Sequence, residues 1–245
     1  MRLSNAQIRF FRDVGYLQVG TIVPEAQVEK MRAVVLDHIE NRIEPFRANE
    51  SGDITYLDNI IERDQVFLDV CTSAHLLRPL ESLLGPNIEL TLNRHNHATI
   101  NRRGQNPVRL HRDVLQWSRP IITAVIYLEN ATIDNGCTKL IPRSHFLPFV
   151  GTPNNGGTWM DEHHVFDDLL AQAVDVPMPK GGILLFDSLV FHTVGLNYSD
   201  STRMSVTFGI HSVDELAGCE DPKKLLILGK RIYKGNDRNR QSIDS

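Results

Sequence analysis

Within the stretch RLHRDVLQW, residues 109–117, stand His111, Arg112 and Asp113, a trio that fits two unrelated chemistries. His-Arg-Asp opens the catalytic loop of protein kinases, where the aspartate takes the proton of the phosphoryl acceptor. His-x-Asp also supplies two of the three ligands of a facial metal site. The kinase reading needs an asparagine five residues past the aspartate, and Ser118 stands there. It further needs a glycine-rich phosphate loop, a Val-Ala-Ile-Lys strand and a later Asp-Phe-Gly, and the chain has none of them.

The metal reading makes a demand that the rest of the chain meets. Side chains at i and i+2 of an extended segment share a side, so His111 and Asp113 reach the same ion. The third ligand then comes from a distant strand, and His192, closing the apolar run ILLFDSLVFH, is the best-placed candidate. Beyond it lies RMSVTFGIHS, in which Arg203, Ser205 and Thr207 alternate onto one face and Met204, Val206 and Phe208 onto the other. A guanidinium inside a barrel is costly without an anion beside it, and a dicarboxylate cofactor supplies one in a bidentate way.

Taken together, His111-x-Asp113, DNGCTKLIPRSH and GGILLFDSLVFHTVGLNYSDSTR resemble the phytanoyl-CoA dioxygenase family of iron(II)- and 2-oxoglutarate-dependent oxygenases. The resemblance covers nearly the whole chain, from FFRDVGYLQV to the late LGKRIYKGND. The family's distal block is approximately His-x-x-Gly-x-Asn-x-Ser-Asp, with an arginine eleven residues after the histidine. His192, Gly195, Asn197, Ser199, Asp200 and Arg203 match it. Two positions depart from the pattern: Arg143 stands where the Pro-x-Ser-His element usually has glycine, and Gly182 where an aspartate often follows the glycine.

The resemblance implies a mainly β fold, a double-stranded β-helix (jelly roll, cupin-like) with N-terminal helices packed outside the barrel. It implies Fe(II) on His111, Asp113 and His192, and 2-oxoglutarate pairing its far carboxylate with Arg203, with Ser205 as a second contact. O2 would be the co-substrate, the keto acid would be decarboxylated to succinate, and a small molecule would be oxidised. Halogenating relatives carry a small residue in place of the carboxylate, so Asp113 favours hydroxylation or a related oxidation. The alternatives are a non-catalytic jelly-roll binding protein and a cupin-type metal-dependent isomerase, which would leave Arg203 unexplained.

Further polar residues are expected around this centre. Asn93 and His95, on the polar face of a strand containing NRHNH, and Gln116 and Trp117, just past the metal motif, are the expected substrate-binding residues. His97 shares the face of His95, and the pair is read as pocket lining in preference to a second metal site. That polar face favours a polar metabolite, an amino-acid derivative or a sugar-bearing natural product. His145 is expected to be structural, Arg112 a salt-bridging residue, and Cys137 a small packed one. His163, His164, Asp161 and Glu162 belong to a glycine- and asparagine-rich loop, residues 151–167, that resembles a lid.

The elements that position these residues follow from periodicity. Ser4 and Gln7 have capping-box spacing ahead of Ile8, Phe11 and Val14, and Gly15 stops that helix. A second helix starts near Pro24 with Val28, Met31, Val35 and Ile39 on one side, and AHLLRPLESLLGP forms a third. Residues 42–58 are polar and aperiodic, which predicts a loop. From Ile88 the period becomes two, so IELTLNRHNHATI, IITAVIYLEN, GGILLFDSLVFH and RMSVTFGIHS are expected strands, without helices between them. The expected organisation is one oxygenase domain over residues 1–245: a mainly helical part at 1–87, a jelly-roll core at 88–232 and a polar tail at 233–245.

Composition sets limits on partners. A net charge of −4 over 245 residues provides no basic footprint for nucleic acid. Cys71, Cys137 and Cys219 are far apart and form no C-x-x-C pair, which argues against a disulfide framework or a zinc ribbon. No apolar run approaches the ~18 residues of a membrane span, and the polar start lacks the apolar core of a signal peptide. The expected setting is cytoplasmic, with a small-molecule substrate and no nucleic-acid or membrane partner.

Overall fold

The computed structural model describes residues 2–92, 95–104, 110–113, 121–147, 165–213 and 223–229. Helix α1 (Asn5–Val14) begins at a complete capping box: the Gln7 amide donates to Ser4 Oγ, and the Ser4 amide donates to the Gln7 side chain. Gly15 ends it at φ 92, in the left-handed region that glycine enters without steric cost. Strand β1 (Tyr16–Ile22) leads to α2 (Glu25–Glu40), whose Val28, Met31 and Val35 are buried at the expected spacing. Helix α5 (Ala74–Leu84) follows the short α3 (Ile60–Arg63) and α4 (Gln65–Cys71), and Pro79 is its sixth residue, in the second turn.

Residues 42–58 are not a plain loop. They contain the antiparallel hairpin β2 (Phe46–Ala48) and β3 (Ile54–Asp58). A register shift between Arg47 and Ala48 sets the buried Ile54 and Leu57 three residues apart, so no period of two is visible there. The stretch 88–100 is likewise two strands, β4 (Ile88–Thr91) and β5 (His97–Asn101), separated by a turn in which His95 adopts φ 51. The remaining strands are β6 (Ile121–Tyr127), β7 (Thr138–Leu140), β8 (Val174–Val176), β9 (Gly182–Asp187), β10 (His192–Val194), β11 (Arg203–Ser212) and β12 (Lys224–Leu228). One short helix, α6 (Val165–Leu170), interrupts the strand-rich half where none was expected.

The large sheet runs β1-β9-β6-β11-β5-β3-β2, with β4 joining the later half of β11 and β12 joining β4. The small sheet runs β10-β7-β8. All these pairings are antiparallel. Alternation sorts β1, β6 and β9 of the large sheet between two cores. Ile122, Ala124 and Ile126 of β6 and Met204, Val206 and Phe208 of β11 pack in one cluster with residues of α2, α4 and α5. Val125 and Tyr127 of β6 pack instead with Leu140 of β7 and Val176 of β8, on the side of the small sheet. The fold is the expected double-stranded β-helix with helices outside it, and the space between its two sheets is where the site lies.

Arg143, the departure from the family's glycine, has φ 66, the backbone that glycine would favour. Its amide donates to the Val14 carbonyl, and its exposed guanidinium pairs with Asp13 at 2.9 Å. Left-handed backbone costs a non-glycine residue about 1 kcal/mol or more, and an exposed ion pair returns at most about that. Arg143→Gly is therefore expected to raise stability by up to about 1 kcal/mol, a shift of roughly 2–4 °C by calorimetry. A drop in Tm would show that the Asp13 pair outweighs the backbone strain.

Candidate metal and cofactor site

Two chain segments meet at the mouth between the sheets. The His111 amide donates to the His192 carbonyl at 3.0 Å, and the His192 amide donates to the His111 carbonyl at 2.9 Å. The Asp113 amide donates to the Ser188 carbonyl at 3.0 Å, so residues 111–113 lie as a strand against the 188–192 segment. His192 does not end a continuous apolar strand, as its sequence implied. The chain leaves the large sheet after Asp187, whose carboxylate accepts from the Leu189 amide at 2.9 Å in an aspartate turn. It then enters the small sheet at His192. That turn carries the imidazole across to its partners.

The ligand atoms of His111, Asp113 and His192 lie within 4.8 Å of one another, which fits a single iron ion with open positions remaining. Three imidazoles face Asp113 Oδ1: Nε2 of His192 at 3.4 Å, of His95 at 3.6 Å and of His111 at 3.8 Å. Burial alone would raise the Asp113 carboxyl, but His192 and then His95 and His111 hold it well below the usual carboxylate range. Oδ2 accepts from the Thr123 hydroxyl. Because that proton is committed, the Ser188 hydroxyl, 2.9 Å from Thr123 Oγ1, must donate to it. His192 Nδ1 lies 3.0 Å from the Val190 carbonyl, an acceptor only, which makes Nδ1 a protonated nitrogen and leaves Nε2 facing Asp113.

Arg203 is fully enclosed, at 2% exposure. Its single hydrogen bond among the described residues is a long one, Nη1 to Ser205 Oγ at 3.5 Å, and Nε and Nη2 have none. Burial lowers its pKa. The nearby Glu129 carboxylate is already engaged by Arg32, Thr202 and the Met204 amide, at 3.1, 2.8 and 3.1 Å. A buried guanidinium in that state calls for a carboxylate ligand. One cavity of ≈ 310 Å³ is lined both by the His-Asp-His cluster and by Arg203 and Ser205.

The phytanoyl-CoA dioxygenase (PhyH) family model matches residues 11–205. The chain belongs to that family. Phytanoyl-CoA dioxygenase family relatives include the human peroxisomal enzyme, 24% identical over 237 residues that cover 86% of this chain and 69% of the relative. The cattle enzyme is 23% identical, covering 84% and 67%. Among solved structures, the non-haem alpha-ketoglutarate-dependent carbocyclase SnoK of nogalamycin biosynthesis superposes with TM-score 0.70 at 19% identity, covering 86% of this chain and 85% of SnoK. EctD from S. alaskensis with bound Fe gives 0.71 at 18% identity, covering 86% and 77%. EctD has also been crystallised with 2-oxoglutarate and 5-hydroxyectoine. This dioxygenase-family chain is thus one of the non-haem iron, 2-oxoglutarate-dependent oxygenases, with the same jelly-roll fold.

Of the expected site residues, His111, Asp113, His192, Arg203, Ser205 and His95 all line the one cavity, whereas Asn93, Gln116 and Trp117 lie outside the described residues, as does most of the 151–167 loop. His145 has the structural role expected of it, with Nε2 3.0 Å from the Arg12 carbonyl. Arg112, expected to bridge to a carboxylate, donates to the Ser144 and Leu147 carbonyls at 2.6 and 2.9 Å, and its guanidinium lies over the Phe191 ring. Sequence reasoning missed Thr123, Ser188, Tyr56 and Arg47. Thr123 alone left a trace, as the one aliphatic hydroxyl in an otherwise apolar and aromatic β6.

Proposed function

We propose that the protein is an Fe(II)/2-oxoglutarate-dependent dioxygenase that hydroxylates, or otherwise oxidises, a small polar metabolite or natural-product intermediate. His111, Asp113 and His192 hold the iron, and Arg203, with Ser205, pairs with the far carboxylate of 2-oxoglutarate. The observation that carries this reading is the enclosed Arg203, short of an anion, in the same cavity as the His-Asp-His cluster. When bound, iron and keto acid supply O2 activation coupled to decarboxylation to succinate. The chain's own residues orient and exclude water. Val190 fixes the His192 tautomer, Thr123 and Ser188 fix the Asp113 carboxylate, and Val125 and Phe186 supply apolar lining from which water gains no hydrogen bond.

Asp113 fills the third ligand position, which favours hydroxylation or a related oxidation over halogenation. A cupin-type isomerase or a non-catalytic binder would have no use for Arg203. The polar character of the substrate rests on the walls: Tyr56, His95, His97, Thr99, Thr138 and Thr207 face the cavity.

The test is spectroscopic first. Fe(II) and 2-oxoglutarate added without oxygen should produce the visible charge-transfer band of the chelate, and admitting O2 should produce succinate. Absence of the band sinks the cofactor assignment. Thr123→Val keeps the side-chain shape and removes both hydrogen bonds of that hydroxyl, the one to Asp113 and the one from Ser188. It should lower iron affinity or turnover about 10- to 100-fold while circular dichroism is unchanged. Wild-type iron affinity and turnover in that variant would mean that the carboxylate needs no orienting partner.

A further inference from the structure

The geometry points to Arg47 as the residue that selects the substrate, which carries a carboxylate held at the cavity rim; this rests on the oxygenase reading above. Arg47, Tyr56, Thr99 and Ser205 stand in register across β2, β3, β5 and β11. Three strand spacings, about 14 Å of backbone, separate Arg47 from Ser205 at the other end of that row. From Arg47 a continuous wall leads back to the metal site. Its guanidinium lies 3.8 Å over the Tyr56 ring, Tyr56 lies against His97 at 5.4 Å, and His97 against His95 at 6.2 Å. His95 Nε2 is in turn 3.6 Å from Asp113.

Charge decides what this wall accepts. In the loaded site, iron and Arg203 balance Asp113 and the two carboxylates of the keto acid. His97, pushed down to about 4 by burial and by His95 and Arg47, is uncharged. Among the described lining residues, Arg47 and Arg203 are the only arginines, and Asp113 is the only carboxylate. Asp58 takes Arg47 Nε and Nη2 at 3.1 and 2.9 Å but does not line the cavity. Nη1 has no hydrogen bond among the described residues. An ion pair exposed to this degree contributes little to folding, so its effect is to hold the guanidinium in one orientation. The Nη1 edge that Asp58 leaves open offers N–H donors and no acceptor, so an ammonium group has nothing to bond to there. A carboxylate meets both the charge and the hydrogen-bonding edge.

The test uses the full-length enzyme with Fe(II) and 2-oxoglutarate and a panel of small α-amino, hydroxy and alicyclic acids, each paired with its primary amide. Succinate formation above the substrate-free rate gives kcat/KM, and anaerobic titration of the chelate band gives Kd. Wild type should prefer at least one acid over its amide by about tenfold or more in both readouts, the strength of a charge-assisted hydrogen bond. Arg47→Gln should bring that ratio near one, and Arg47→Lys should restore part of it. Because each ratio is taken within one variant, altered folding or iron loading cancels. An unchanged ratio in Arg47→Gln, or a panel in which no acid is preferred, overturns the assignment of Arg47 while leaving the oxygenase reading intact. A wild type that forms no succinate under any condition removes both.

Discussion

Arg203→Met is expected to make the cofactor-free protein no less stable, and to weaken 2-oxoglutarate binding by about 100-fold or more. The two halves have opposite signs for one physical reason. In the chain alone, the guanidinium is buried at 2% exposure with Nε and Nη2 unbonded, so it bears a desolvation cost that the long bond to Ser205 and the engaged Glu129 offset only in part. Methionine fills similar space without that cost. With 2-oxoglutarate bound, the same guanidinium gains a bidentate, charge-assisted pair in a dry site, and truncating one partner of such a pair costs roughly 2–5 kcal/mol. The measurement is a pair of thermal melts. Saturating 2-oxoglutarate with iron should raise the Tm of wild type through linkage and leave Arg203→Met nearly unmoved. A variant clearly less stable than wild type without cofactor would show that Arg203 has a structural role, and the carboxylate assignment would lose its basis.

Asp113→Ala is expected to abolish succinate formation and to weaken iron binding by more than about 100-fold. Changing a residue that merely orients a metal ligand typically costs 10- to 100-fold, and in the proposed site Asp113 is the ligand itself. It is also the anion around which three imidazoles gather, at 3.4, 3.6 and 3.8 Å. Without it, bringing a divalent cation among His111, His192 and His95 meets no compensating negative charge. The variant should still fold, because the backbone pairing of His111 with His192 and of the Asp113 amide with Ser188 does not depend on the carboxylate. Anaerobic Fe(II) titration separates the outcomes: near-normal iron affinity with lost turnover would place Asp113 outside the metal's ligand set.

The local chemistry was legible in the one-dimensional pattern. A period of two put Arg203, Ser205 and Thr207 on a common face, and the structure has them lining one cavity while Met204, Val206 and Phe208 pack beneath the helices. The same rule put His111 and Asp113 on one side, and the capping box located α1 to the residue. The hairpin at residues 46–58 was hidden because its register shift breaks the alternation by which strands are recognised. It supplies both Arg47 and Tyr56. The run 182–192 read as one strand because its apolar content hides the aspartate turn at Asp187.

By itself, then, the sequence determined residue type and face: which side chains can bind a metal, which cation must find an anion, and which positions point inward. Alternation and capping are local, and a few consecutive residues are enough to express them. Only the tertiary structure decided neighbours. His192 meets His111 because the chain changes sheets between them, and Thr123 meets Asp113 because β6 runs beneath the metal segment. Arg47 joins the cavity wall because β2 and β3 extend the large sheet past β5. Such pairings arise from the summed burial of two whole cores, and no short stretch of sequence contains that sum.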